Sequence, residues 1–133
     1  MSLNSFVLLL ARVLLGAIFV VAGFGKLGDV QGFAGYMASG GVPAFLAWPV
    51  VLAEIIGGLL LIVGWQTRFA ALGLAAFCVA SAVLYHYVPG DQMQMNMFLK
   101  NLAMAGGYLA LFVQGAGALS LDARMAGGRT AHA

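Results

Sequence analysis

The sequence predicts an all-α membrane protein: an antiparallel bundle of four transmembrane helices, with a short interfacial helix between spans one and two. Three observations predict it. Of 133 residues, 63% are hydrophobic and only 8% are charged, whereas a soluble domain carries roughly 25% charged residues. Such a chain cannot cover a water-facing surface. Its apolar runs each approach the ~20 residues needed to cross a bilayer, and glycine, proline and polar turns divide them into four.

Span one is read from Ser5 to Phe24, uncleaved, because no basic segment precedes it and Arg12 interrupts the apolar run. Gly16 and Gly23 lie four and eleven residues after Arg12 and share its helical face. Lys26 and Asp29 mark the membrane interface. Val30 to Ser39 is too short to span. Its apolar residues Val30, Phe33, Ala34 and Met37 recur at helical spacing, which predicts a helix lying in the interface. Gly40-Gly41 and then Pro43 stop it.

Span two is read from Ala44 to Gly64, with Trp48 and Trp65 near its ends as interface aromatics. Glu54 lies inside the run VVLAEIIGGLLLIVG. A carboxylate at that depth is costly and needs a partner or a wet cavity. Gly57 and Gly58 follow on the same face and invite a neighbouring helix. The turn Gln66-Thr67-Arg68 returns the chain antiparallel into span three, Phe69 to Val88, which ends in Tyr85-His86-Tyr87. Pro89-Gly90-Asp91 is a turn. Span four runs from Met97 to Val113, with Lys100 and Asn101 in its first turns; Ala103 and Gly107 continue the Lys100 face as a small-residue pair. Residues 1–119 thus form one membrane domain, and residues 120–133 a short polar tail read as disordered.

Depth along the helices, at about 1.5 Å per residue, makes an Arg12–Glu54 ion pair geometrically allowed. Lys26, His86, Lys100 and Asn101 fall near the outer face. The six residues Arg12, Lys26, Glu54, His86, Lys100 and Asn101 form a graded polar column and are the candidate ligand-binding set. Glu54 and His86 are the proton-relay candidates, since burial and neighbours tune both. The bland readings stand beside this one: Arg12 and Glu54 as a pair that fixes helix register, the lysines as snorkelling side chains, His86 as an interface residue and Asn101 as interhelical glue.

Other chemistry finds no support. A single cysteine, Cys78, forbids an internal disulfide and reads as packing. The two histidines, His86 and His132, are far apart in the chain, so no metal set is predicted. Met93, Met95 and Met97 read as packing. Six Lys and Arg residues without a cluster give no nucleic-acid footprint. Arg68, Arg124 and Arg129 place both termini in the cytoplasm by the positive-inside rule.

With these residues in place, the chain resembles the DoxX family of small bacterial membrane proteins over about residues 6 to 115. The resemblance is carried by Arg12 with LLGAIFVVAGFGKL, Glu54 with IIGGLLLIVGWQTR, His86, and Lys100-Asn101-Leu102-Ala103. It implies a multi-pass protein of the bacterial inner membrane, serving as a membrane subunit of a quinone-linked oxidoreductase system. No cofactor motif is built in, so the implied redox molecule is a quinone from the membrane. The implied partners are the bilayer, a redox protein and further copies of the chain. The alternative is a non-enzymatic scaffold or assembly factor whose buried charges only fix helix packing.

Overall fold

The computed structural model describes residues 2–131. They are all-helical: α1 (Leu3–Lys26), α2 (Val30–Ser39), α3 (Ala47–Val63), α4 (Thr67–Ser81), α5 (Gln92–Gln114) and α6 (Leu121–Ala131). A 3₁₀ turn, Ala44–Leu46, precedes α3, and a π-helical turn, Ala82–His86, extends α4. Three segments are long and apolar enough to cross a membrane: Leu3–Lys26, Ala44–Val63 and Thr67–His86. The fourth long helix, α5, begins five residues before the predicted span and carries Gln92, Gln94, Asn96, Lys100 and Asn101 in its first half, which lowers its apolar content.

Local chemistry sets the ends of these helices. Side chains of Ser2, Asp29 and Asp91 cap α1, α2 and α5 by accepting the backbone N–H of the residue three positions on. Gly64 ends α3 in the left-handed region at φ 74°, with its N–H donated to the Leu60 carbonyl. The sequence places an interfacial helix at Val30 to Ser39, and α2 has those bounds.

The long helices close a ring: α1 packs on α3, α3 on α4, α4 on α5 and α5 on α1. The α1–α3 contact is backbone to backbone. A Cβ added to Gly16 would stand 2.5 Å from the Gly58 carbonyl oxygen, and one on Gly58 would stand 2.5 Å from that of Gly16. Gly23 makes room for a side chain, since a Cβ there would stand 2.5 Å from Cγ1 of Ile55. Arg12, Gly16, Phe19 and Gly23 are the buried face of α1, the face on which Arg12, Gly16 and Gly23 were expected together. Inside the ring, Phe19, Leu61, Leu74, Cys78, Tyr108 and Leu111 form the core. Phe19 meets the Phe77 ring edge-on, and the Tyr108 hydroxyl donates to the Leu15 carbonyl at 2.8 Å. The outward faces remain apolar, with Leu14, Val21, Ile56, Val83, Leu109 and Val113 exposed. That surface suits lipid.

Two expectations are revised. The buried face of α5 is Asn101, Ala105, Tyr108 and Leu111, not the Lys100–Ala103–Gly107 face; packing on α4 selects the face bearing the large Tyr108. The segment read as a disordered tail contains α6. It is fixed by Asp122, whose carboxylate accepts the N–H groups of Gln66 and Thr67, and whose own N–H donates to the Gly64 carbonyl. His132 lies outside the described residues.

The α1–α3 contact yields a graded outcome. Gly16→Leu forces the helices apart and destabilises by about 1–3 kcal/mol or more. Gly25→Ala, with no heavy atom within 4 Å of the added Cβ, is neutral or stabilising by up to about 1 kcal/mol. Thermal unfolding of the two variants in detergent, against the parent, reads the difference.

Candidate functional site

The Gly16–Gly58 contact fixes the register of α1 against α3. Arg12 lies four residues from Gly16 towards one end, and Glu54 four residues from Gly58 towards the other. The two side chains are therefore about 12 Å apart in level, from eight residues of helical rise. The Arg12–Glu54 pair that depth along the helices allowed is accordingly absent. Glu54 pairs instead with Lys26 at the end of α1, whose Nζ donates to both carboxylate oxygens at 2.9 and 2.8 Å. Glu54 is 3% exposed and Lys26 27%. The Lys26 ammonium also lies 5.0 Å from the Phe33 ring centroid, a cation–π contact supplied by α2.

Arg12 serves the opposite end. Its Nη2 donates to the Leu119 carbonyl, and its guanidinium lies against Gly64, where a side chain would collide with it. Asp122 is close enough to act on its charge. Arg12, wholly buried, belongs to the knot that ties residues 119–122 to the turn after α3.

The remaining candidates come together. A cavity of about 240 Å³ is lined by Lys26, Glu54, His86, Lys100 and Asn101, with Cys78, Ser81, Met97 and Met104 among its other walls. These are five of the six nominated residues; Arg12 is not on its walls. The Asn101 amide reaches Ser81 Oγ only at 3.4 Å, a weak bond that leaves it available. His86 Nδ1 donates to Oε1 of Gln94 at 2.8 Å. A neutral ring held so keeps Nε2 as its base. Lys100 is exposed along part of its length while lining the cavity.

A second cavity, about 310 Å³, lies under α2 and is lined by Lys26, Phe33, Tyr36, Met37, Glu54, Phe77, Tyr85 and His86 among others. Lys26, Glu54, Phe77, Ser81 and His86 border both cavities. The Tyr85 hydroxyl donates to the Met37 carbonyl at 2.7 Å, and its ring stacks on Tyr36 at 4.9 Å. Burial, and then Tyr85, push the Tyr36 hydroxyl above the usual phenol range, so it stays neutral. Sequence reading missed Gln94, Phe77 and Tyr85 as parts of this region. Gln94 had one usable signal, its place one turn after the Asp91 cap. Tyr85 reaches Met37 and Tyr36 only because α2 folds onto it, which spacing within one helix does not contain. A wider hollow of about 400 Å³ at the Arg12 end is lined by Gln66, Arg68, Gln114 and Asp122, but Asp122 is already occupied with the turn. Among the described residues no cluster of His, Cys, Asp or Glu is suited to a metal ion.

The buried pair predicts asymmetric mutant energetics. Lys26→Met leaves the Glu54 carboxylate alone in an apolar site and destabilises by about 3 kcal/mol. The Lys26→Met/Glu54→Gln double variant recovers most of that loss. Unfolding midpoints of the parent, the single and the double variants in one detergent check it; equal loss in both variants refutes it.

Comparison with known proteins gives the family. The model of the DoxX family matches residues 7–87, which hold Arg12, Lys26, Glu54 and His86. The chain is 40% identical over 114 residues to inner membrane protein YqjF of Escherichia coli (strain K12), covering 86% of this chain and 88% of that one. It is 36% identical over 124 residues to inner membrane protein YphA of the same organism, covering 88% and 89%. A shorter match, 36% over 76 residues and 57% and 56% of the two chains, is to a Bacillus subtilis (strain 168) protein named "Putative oxidoreductase CatD". No solved structure matches. With most of both Escherichia coli relatives covered and the family pattern extending from α1 through the π-helical turn, the chain belongs to the DoxX family of membrane proteins.

Proposed function

We propose that this protein is a membrane subunit of a quinone-linked redox system, and that the paired cavities around Lys26 and Glu54 receive the quinone ring. One observation carries the reading: five polar side chains, drawn from four separated stretches of an otherwise apolar sequence, line one cavity of about 240 Å³. Polar groups kept within spanning segments are costly and mark ligand or proton pathways by default. A relative named as an oxidoreductase is consistent with this assignment, and two named as inner membrane proteins support that location. The chain then crosses the inner membrane four times, α5 included, as an antiparallel bundle with both termini cytoplasmic.

The walls suit a flat ring with carbonyls on opposite edges. Polar groups face the space from three directions: the donors Lys26 from α1 and Lys100 and Asn101 from α5, and His86 Nε2, an acceptor in the neutral ring, from the π-helical turn. Phe77 supplies a flat apolar wall. A bound quinone supplies two-electron, two-proton redox chemistry. The chain's own part is to hold the ring, exclude water and manage protons. Lys26–Glu54 forms the charged floor. His86, oriented by Gln94, accepts or returns a proton at Nε2. Lys100 and Asn101 hold the ring carbonyls, and a partner protein exchanges the electrons.

A second reading has its own observation. Lys26 donates to both oxygens of Glu54, as it would in a scaffold whose charges only hold helices together. Lipid-extract mass spectrometry of the purified protein separates the two. The redox reading expects co-purified quinone, reduced at least about tenfold in Asn101→Ala and His86→Ala, the loss of one or two hydrogen bonds to a bound ring, at unchanged unfolding midpoints. Quinone-free parent protein, or full retention in both variants, leaves the scaffold.

A further inference from the structure

Glu54 also borders a third hollow, on the lipid side. About 320 Å³ in volume, it lies between α3 and α4 and is lined by Ala53, Glu54, Gly57, Ala70, Gly73 and Phe77, with Ile56, Leu60 and Leu74. Glu54 is its only ionisable wall residue. Glu54 and Phe77 also line both of the cavities described above. Glu54 and Phe77 are therefore walls common to all three spaces.

Small residues on facing membrane helices ordinarily let the helices close up. Gly16 and Gly58 do that between α1 and α3. Between α3 and α4 the small residues Ala53, Gly57, Ala70 and Gly73 leave a groove instead. A Cβ on Gly73 would meet no heavy atom within 4 Å, and one on Gly57 would meet only Leu74 side-chain atoms, at 3.1 to 3.5 Å. Ala53, Ile56 and Gly73 are exposed, so the groove opens outwards on the apolar flank. Its inner end is a buried carboxylate, where a phospholipid chain has no reason to lead. An apolar tail attached to a ring held at Lys26 and Glu54 has one.

We propose that the α3–α4 groove holds the apolar tail of the molecule whose ring occupies the Lys26–Glu54 cavities, making the substrate a long-tailed quinone that enters laterally from the bilayer. The proposal rests on the quinone reading given above. The tail gains packing against Gly57, Gly73 and Phe77 that it lacks among lipid chains, so selectivity arises from fit and not from desolvation.

The test compares a tail-less ring quinone with its decyl-tailed counterpart, by equilibrium binding to the full chain in detergent. The parent binds the tailed form about tenfold more tightly, a modest packing gain. Gly73→Leu, filling open space, removes that preference and leaves tail-less affinity within about twofold. Ala53→Leu, on the opposite wall, does the same. Equal weakening of both ligands, or an unchanged preference, overturns the tail assignment while the quinone reading stands. Binding of neither ligand by the parent overturns both. Displacement of a co-purified phospholipid by Gly73→Leu, with quinone preference unchanged, makes the groove a lipid slot and also overturns it.

Discussion

A carboxylate embedded in an apolar helix is the constraint on which this architecture turns. Left alone at that depth, Glu54 would cost several kcal/mol. The structure meets the cost with one ammonium, Lys26, placed on both carboxylate oxygens. That solution depends on α1 and α3 being pressed together at Gly16 and Gly58, because this contact sets which residues of the two helices share a level. The glycines are thus electrostatic devices as well as packing ones. They bring the last turn of α1 to the carboxylate, and α2 follows directly, laying Phe33 beside the same ammonium.

Much of this was legible in the sequence, because helical spacing is a one-dimensional property. The shared face of Arg12, Gly16 and Gly23, the bounds of α2 and the closeness invited by Gly58 follow from spacing and composition; depth along the helices also grouped Lys26, Glu54, His86, Lys100 and Asn101, but it put Arg12 with them, and the fold does not. The partner of Glu54 does not follow from spacing. Counting depth from Ala44 misjudges Glu54, since Ala44–Leu46 form a separate 3₁₀ turn and α3 starts at Ala47. Relative register between helices is a tertiary quantity, and no spacing within one helix contains it. The same holds for α6, whose sequence is weakly apolar and which is fixed by Asp122 bonding a turn more than fifty residues away. It holds for Gln94 and Tyr85 too, whose partners lie on other elements.

Arg12 and Glu54 pose the same energetic problem at opposite ends of the α1–α3 pair, and their surroundings answer it differently. Around Arg12 the space is closed. The guanidinium abuts Gly64 and Ser120 and donates to Leu119, and the residues around it tie the last described helix to the bundle. Its Nη2 is bonded while its Nε and Nη1 stay buried without a hydrogen-bond partner, so the charge is met by one carbonyl and by nearby Asp122 rather than by an ion pair of the Lys26–Glu54 kind. Glu54 is a wall of three hollows, of about 240, 310 and 320 Å³. A pair needed only for register is best packed closed, because every void removes dispersion contacts. Enclosed space beside a charged pair weakens the fold without aiding register, and Lys26 and Glu54 share two such spaces. On the quinone reading proposed above, the polar and apolar walls on either side of Glu54 match an occupant with both kinds of surface.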